Sequence, residues 1–241
     1  MEDAITDAQK IRPTRQIDRP LLGLTILLVE DSRYFSDAVR LMAIRSGARL
    51  RRADCLHSAR KHIRIYRPDA VLVDLGLPDG SGAEFIREIS NATGGPPVIA
   101  MSGEMNPAGQ QHALGAGASL YLQKPFYDLS SFQQTVLSVL PPEQGPKSFR
   151  PRVVGDTVHP DEASLAEDLH NIQGIMREAM PESDPHRLSY CAQFLTSVAQ
   201  VSGDLDLATE AENLRVALSL GAKWQNRCAK VLEMLEQRLA A

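Results

Sequence analysis

The sequence predicts a two-part protein, in which a five-stranded doubly wound parallel α/β sheet is followed by an all-α helical bundle. Between residues 21 and 140, five predicted strands, four of them short apolar runs, alternate with amphipathic segments, as in βαβ units of a parallel sheet. Residues 141–159 are rich in Pro, Gly and charge, which is typical of a linker. Residues 160–241 show only helical periodicity. These observations define the predicted domains.

The predicted strands are short and mostly aliphatic, as expected of strands buried on both faces. They span roughly Thr25–Val29, Arg49–Ala53, Ala70–Asp74, Val98–Met101 and Ser119–Leu122. The first two helices between them each have an apolar face. The residues on these faces are Phe35, Val39, Met42 and Ala43 in the first helix, and Ala59, Ile63 and Tyr66 in the second.

Four helices are predicted after the linker, at roughly 160–180, 186–202, 204–220 and 222–240. The predicted breaks between them are Pro181 with Pro185, Gly203 and Gly221. Apolar stripes run along the first and last of these helices, at Leu165, Leu169, Ile172 and Met176 and at Cys228, Leu232, Leu235 and Leu239. Such stripes must pack on each other or on a second subunit, so the sequence leaves a homodimer open.

The composition predicts a cytoplasmic protein. The 241 residues are 43% hydrophobic with a net charge of −4, and no apolar run approaches the ~20 residues that span a bilayer. The polar residues 1–20 lack the apolar core of a signal peptide and are predicted to be a flexible tail. Three widely spaced cysteines lack metal-ligand spacing and fit a reducing compartment.

The helical part is acidic. Residues 151–241 hold 8 Lys and Arg against 14 Asp and Glu, a charge of −6, whereas residues 1–150 carry +2. DNA-binding domains usually present a basic surface. We therefore expect no DNA binding by this half.

Polar side chains occur at the ends of four predicted strands: Glu30 with Asp31, Asp74, Ser102 and Lys124. In an open parallel sheet, ligands bind at the carboxyl ends of the strands, so these groups should converge. Phosphorylation of an aspartate requires a cation held by carboxylates and donors for the phosphoryl oxygens. Asp31 and Asp74, with Glu30 further out, suit Mg²⁺, and the carbonyl of Gly76 could complete its coordination sphere.

Taken alone, each of these residues has a more ordinary interpretation, such as a turn cap or a solvated charge. Together they resemble the receiver domain of two-component response regulators, a flavodoxin-like family that includes the bacterial chemotaxis regulator. The matching strings are VEDS at 29–32, VLVDLGLPDGSG at 71–82, MSG at 101–103 and YLQKPF at 121–126. The resemblance covers about residues 22–140.

The resemblance implies a role for each matched residue. Asp74 would be the phosphoacceptor, Lys124 would bind the phosphoryl group, and Glu30 and Asp31 would bind Mg²⁺. Ser102 would be the switch hydroxyl and Tyr121 the aromatic switch, the Lys124–Pro125 bond would be cis, and Gly76 and Glu104 would tune the lifetime of the phosphate. Residues 105–139 would form the signalling surface.

An enzymatic alternative is a haloacid-dehalogenase-type phosphatase, which also phosphorylates an aspartate after a strand. That family has a second Asp two positions later as general acid, where this chain has Gly76. Since glycine cannot donate a side-chain proton, we expect a signalling protein rather than an enzyme.

The segment Leu169-His170-Asn171-Ile172-Gln173-Gly174 resembles the histidine phosphotransfer motif, in which glycine four residues after the histidine leaves its imidazole accessible. Gln173 replaces the family's usual lysine. Three interpretations stay open: an active phosphotransfer domain with His170 as a second phosphosite, a degenerate relative, and an unrelated interaction or dimerisation module. The expected partners are a sensor histidine kinase or phosphotransfer protein and a downstream protein.

Overall fold

A computed structural model of the chain describes residues 19–103, 107–141 and 156–240. Five parallel strands form the central sheet in the order β2-β1-β3-β6-β7. The strands are β1 (Thr25–Val29), β2 (Arg49–Ala53), β3 (Ala70–Asp74), β6 (Val98–Ser102) and β7 (Leu120–Gln123), and a two-residue hairpin, β4 (Gly76–Leu77) with β5 (Gly80–Ser81), follows β3. The predicted α/β fold class is confirmed; the hairpin was not predicted.

Helices cover both faces of the sheet. They are α1 (Arg33–Ser46), α2 (Leu56–Tyr66), α3 (Gly82–Ser90), α4 (Pro107–Gly115) and α5 (Leu129–Val139). Successive side chains of a strand point to opposite faces, and β1 shows this clearly. Ile26 and Leu28 pack with α1 and α5, whereas Leu27 and Val29 pack with α2, α3 and α4. The alternation explains why the strand runs are apolar without interruption.

The first two helices follow the predicted faces with one exception. In α1, all four residues predicted to face the core are buried, and Gly47 ends the helix at φ 86°, a conformation that glycine adopts without steric cost. In α2, Ala59 is buried and Ile63 is half-buried, but the prediction for Tyr66 was wrong. This residue is 41% exposed because it lies in the last turn, and Arg51 packs 4.4 Å from its ring centroid.

The second part is a four-helix bundle of α6 (Glu162–Glu182), α7 (Pro185–Ser202), α8 (Leu205–Ser219) and α9 (Gln225–Leu239). Each helix packs on the next and α9 returns to α6, so the apolar stripes predicted on α6 and α9 meet in one core. Helix α6 continues one residue past Pro181, so the predicted break at this proline lies slightly too early. None of the described helices is long and apolar enough to cross a membrane.

Within the predicted linker, residues 142–155 lie outside the described residues, whereas Asp156 to Val158 pack on the α/β domain. The Asp156 carbonyl accepts from Leu129 N at 2.9 Å, and Val158 N donates to the Tyr127 carbonyl at 3.1 Å. The Val158 side chain is 1% exposed in the core on the α1–α5 side. The predicted tail 1–20 is likewise mostly undescribed, and of its described residues Pro20 is buried.

Candidate functional site

The polar residues predicted at the strand ends lie together at the carboxyl edge of the sheet. Glu30 and Asp31 directly follow β1, Asp74 ends β3, Ser102 ends β6, and Lys124 directly follows β7. The parallel register of the four strands brings these ends to one edge. The predicted convergence is therefore present in the structure.

Lys124 is the centre of this group and is 2% exposed. Its Nζ lies 2.6 Å from Glu30 Oε2 and 2.9 Å from Asp74 Oδ1. The ammonium also makes a cation–π contact with Phe35, whose ring centroid lies 4.7 Å from Nζ. We predicted Phe35 only as a core residue, since nothing in the sequence pairs it with the lysine. The Lys124–Pro125 bond is cis, as the resemblance implied.

Three carboxylates surround one lysine. Glu30, Asp31 and Asp74 each offer an oxygen within 4.8 Å of the others. Burial raises the pKa of Glu30 well above its ordinary value, and burial together with the charge of Asp74 raises the pKa of Asp31 to about 7. Burial alone would lower the pKa of Lys124, but the charges of Asp74 and Glu30 outweigh it and raise this pKa. When ionised, the three carboxylates carry more negative charge than one ammonium can neutralise. Their oxygens fit a hard divalent cation.

The remaining predicted residues line or border the same site. Ser102 is 7% exposed and lines one small cavity with Asp74 and Gly76. The backbone N–H of Gly76 donates to Asp74 Oδ2 at 3.2 Å. Tyr121 is half-buried and packs on the core at the α2–α4 face of the sheet. Glu104 lies outside the described residues.

Helix α7 of the bundle lies across this cleft, which the sequence did not predict. The Tyr190 hydroxyl donates to Asp31 Oδ2 at 2.9 Å. A small, partly open cavity of ≈ 20 Å³ separates the acidic residues from four side chains of α7, which are Gln193, Phe194, Ser197 and Val198. The only sequence signal is a spacing of three and four residues that puts Tyr190, Gln193 and Ser197 on one helical face. In a bundle helix, that pattern usually marks a solvent-facing surface.

Two glycines of the α/β domain make this close approach possible. A Cβ atom on Gly76 would lie 2.5 Å from Gln193 Nε2. A Cβ atom on Gly103 would lie 2.7 Å from Ser197 Oγ and 3.0 Å from Ser197 Cα. The flexible end of Gln193 could move away from a side chain at position 76, but the Ser197 backbone could not move away from one at position 103. The absence of a side chain at Gly103 therefore admits α7.

A buried carboxylate on α6 binds the loop that carries the acidic pair. Asp168 is 3% exposed and caps the start of α1. It accepts from Ser32 Oγ at 2.8 Å, from Arg33 N at 3.1 Å and from Tyr34 N at 3.1 Å. Helix N-termini favour such negative groups because their N–H groups have no helical partners. Asp168 was not predicted, and a single Asp in an acidic helix carries no signal for this role.

His170 lies on the same helix but faces elsewhere. It is exposed, and Gly174 has no neighbour within 4 Å of where a side chain would begin. Two residues in a helix are about 200° apart around its axis, so Asp168 facing the α/β domain directs His170 away from it. Gln173 is buried, and its position therefore contributes nothing to the exposed surface around the imidazole.

Comparison with known proteins agrees with this site. Residues 26–136 match the family described as the response regulator receiver domain. The KDP operon transcriptional regulatory protein KdpE of Escherichia coli is 37% identical over 101 residues, which cover 42% of this chain and 44% of the relative. The cell cycle response regulator CtrA of Brucella ovis is 29% identical over 104 residues, or 43% and 45% of the two chains.

Two solved structures are similar over the same half. The chemotaxis response regulator CheY4 of Vibrio cholerae is 24% identical with a TM-score of 0.45, covering 48% of this chain and 98% of that one. The receiver domain of the sensor histidine kinase PA1611 from Pseudomonas aeruginosa is 29% identical with a TM-score of 0.45, covering 48% and 97%. This chain matches less than half the length of the curated relatives. The family match shows that residues 26–136 are a response regulator receiver domain.

Proposed function

We propose that this protein is a response regulator that accepts a phosphoryl group on Asp74 from a histidine kinase or a phosphotransfer protein, depends on Mg²⁺ for this reaction, and signals through protein–protein contacts. The observation that carries the proposal is the Lys124 ammonium, 2.9 Å from Asp74 Oδ1 within a cluster of three carboxylates. A carboxylate with a fixed cation beside it can approach a phosphate anion, since the lysine compensates its charge.

In the proposed reaction, an oxygen of Asp74 attacks the phosphorus of a phosphohistidine. A P–O bond forms, the P–N bond breaks, and the imidazole nitrogen leaves with the electron pair. Lys124 would pair with a phosphoryl oxygen and the Ser102 hydroxyl would donate to another, which stabilises the charge in flight. No proton has to be removed from an ionised Asp74, so a general base is unnecessary.

Glu30, Asp31 and Asp74 would hold Mg²⁺, with the carbonyl of Gly76 as a further ligand. When bound, the ion would neutralise charge on the transferring phosphoryl group. Glu30 already pairs with Lys124 at 2.6 Å, which suits contact with the metal through water. In this proposal Ser102 and Tyr121 rearrange on phosphorylation and alter the surface of residues 105–139. The protein would then act as a phosphoacceptor and not as an enzyme on other substrates, and would be cytoplasmic.

The test is labelling by a small phosphodonor such as acetyl phosphate. Wild type should form an acid-stable, base-labile acyl phosphate when Mg²⁺ is present, and Asp74→Asn should form none. Asp69→Asn is a matched control, because Asp69 lies near the opposite end of the strands and accepts from Thr25 N at 2.8 Å. Labelling that survives in Asp74→Asn would refute the assignment.

A phosphorelay through His170 is the second candidate, and the exposed imidazole beside Gly174 favours it. Since His170 faces away from the receiver domain in this arrangement, transfer between it and Asp74 would involve another molecule or a rearranged chain. An acid-labile, base-stable label that is lost in His170→Ala and kept in His186→Ala, an exposed histidine of α7, would establish the relay. A label confined to Asp74 would exclude it and leave a binding-type output, for which the charge of −6 on residues 151–241 favours proteins over DNA.

A further inference from the structure

We infer that the helical domain gates Asp74: α7 has to leave the acidic cleft before a phosphoryl group can enter, so docking of α7 and phosphorylation exclude each other. The inference rests on the proposed function of Asp74 and adds its regulation. It concerns the contacts of α7 and α6 with the loops that carry the acidic cluster.

Space is the first argument. The cavity between Asp74 and α7 measures ≈ 20 Å³, and a cavity needs roughly 10–15 Å³ in this measure for a single water molecule. A phosphoryl group brings phosphorus and three oxygens, and a hydrated cation brings further atoms. The docked arrangement therefore has room for about one water and excludes the phosphorylated state.

Contact geometry is the second argument. Gln193 lies over Gly76 and Ser197 lies over Gly103, both closer than a single Cβ atom would allow. Gly76 lies two residues after the end of β3 and Gly103 directly follows β6, where the phosphoryl oxygens would come. Small shifts of side chains cannot open the site, because the Ser197 backbone itself approaches Gly103.

Competition for a ligand atom is the third argument. The Tyr190 hydroxyl donates to Asp31 Oδ2 at 2.9 Å, and Asp31 is one of the three carboxylates that could hold a cation. This hydrogen bond and a hydrated cation compete for the same oxygen, Asp31 Oδ2. Tyr190 therefore stabilises the acidic cleft without metal, and a bound cation favours release of α7.

The interface combines apolar residues of α7, such as Phe194, Val198 and Val201, with polar contacts that suit reversible docking. Asp168 caps α1 through three hydrogen bonds, Ser164 Oγ donates to Asp37 Oδ2 at 2.6 Å, and the Tyr127 hydroxyl donates to the Val201 carbonyl at 2.7 Å. Water can replace such partners, so each bond contributes little net free energy. A modest preference of the phosphorylated receiver for the open form would shift the equilibrium.

The first experiment measures the initial rate of Asp74 phosphorylation by acetyl phosphate with Mg²⁺ in the full chain. Asp168→Asn weakens docking at a distance from the phosphoacceptor, and a tenfold shift in opening corresponds to the loss of about one charged hydrogen bond. We expect the rate to rise about tenfold. Glu178→Gln is the control, since this carboxylate of α6 pairs with Arg187 within the bundle, and its rate should equal that of wild type.

The second experiment locks the helix in place. In the docked arrangement, a Cβ atom on Gly103 would lie 3.0 Å from Ser197 Cβ, which is shorter than the ~3.5–4.5 Å of a disulfide. A disulfide between Gly103→Cys and Ser197→Cys would therefore hold α7 slightly further from Gly103 but still over the cleft. The oxidised protein should be labelled at least tenfold more slowly than the same protein after reduction. Reduction thus supplies the control within one molecule.

The outcomes separate the two levels of the argument. If the reduced double variant and wild type are labelled on Asp74 but oxidation and Asp168→Asn leave the rate unchanged, the gate is refuted and the phosphoacceptor stands. If no protein is labelled on Asp74 at all, the proposed function fails, and the gate fails with it.

Discussion

Replacement of Lys124 by alanine tests the electrostatics of the cleft independently of phosphorylation. Lys124 is 2% exposed and is within 3 Å of two carboxylates, at 2.6 Å from Glu30 and 2.9 Å from Asp74. Lys124→Ala leaves these carboxylates and Asp31 close together without their fixed cation. Removal of one partner from a buried ion pair costs about 3–5 kcal/mol, and we expect a loss of this size in the free energy of unfolding at pH 8.

The loss should be smaller at pH 5. The pKa of Asp31 is already about 7 in the wild type. The charge of Lys124 lowers the pKa of Glu30 and of Asp31, so both pKa values rise further in the variant. Protonation then removes the repulsion that the variant suffers at pH 8. Since one pKa unit corresponds to about 1.4 kcal/mol, the difference between variant and wild type should shrink by at least about 1 kcal/mol.

The assay is urea denaturation followed by circular dichroism at both pH values, with and without Mg²⁺. Mg²⁺ should stabilise the variant more than the wild type, because it replaces part of the missing positive charge. Arg177→Ala removes an exposed cation that pairs with Glu236 at 2.7 Å and should change stability by less than about 1 kcal/mol. An equal loss at pH 5 and pH 8 for Lys124→Ala would refute the electrostatic explanation.

Three further predictions concern stability, each measured by denaturation. Burial and the neighbouring charge raise the pKa of Asp31 to about 7, above the ~3.9 of an unfolded Asp, so the folded state keeps a proton that the unfolded state has lost. The stability of the metal-free protein should therefore fall by at most about 4 kcal/mol as pH rises from about 4 to about 7. Asp31→Asn should flatten this dependence. Leu195 is fully buried in the bundle whereas Leu205 is 69% exposed; Leu195→Ala should cost about 2–5 kcal/mol and Leu205→Ala under about 0.5 kcal/mol, and equal costs would contradict the packing described. Gly174→Ala should stabilise by about 0.5–1 kcal/mol because its helical position is open, whereas Gly203→Ala, at φ 82°, should destabilise by roughly 1–2 kcal/mol.

The receiver fold could be predicted closely from the sequence because its signals are local. The boundaries of β1, β2 and β3 match the predicted strands. For β1 and β3 the reason is that continuous aliphatic runs between turn residues have few other uses in a chain of this composition. The acidic pair, Asp74, Ser102 and Lys124 followed from where those strands end. Parallel strands bring their carboxyl ends to one edge of the sheet, so the strand topology alone predicts that these residues lie close together.

The position of α7 over the acidic cleft could not be predicted, because it depends on how the two domains pack against each other. Asp168 binds α1 across a sequence separation of 136 residues from Ser32, and Tyr190 reaches Asp31 across 159. Each residue has an ordinary explanation within its own helix, and no periodicity distinguishes a helical face that meets water from one that meets another domain. The spacing of Tyr190, Gln193 and Ser197 is typical of a solvent-facing surface, and the family resemblance already accounted for the glycines at 76 and 103.

The packing of Val158 has a consequence for how far the bundle can travel. Since this side chain is buried in the receiver core and α6 begins at Glu162, the working tether between the domains is the few residues from His159 to Asp161. A tether this short holds the bundle at a high effective concentration next to the receiver, in the millimolar range or above. A released bundle would stay next to the receiver domain and dock again quickly once Asp74 has lost its phosphoryl group. The segment 142–155 would not affect this distance, because it precedes Val158. The bundle would therefore leave and cover the acidic cleft without separating from the receiver domain, and the time between loss of the phosphoryl group and renewed docking would be short.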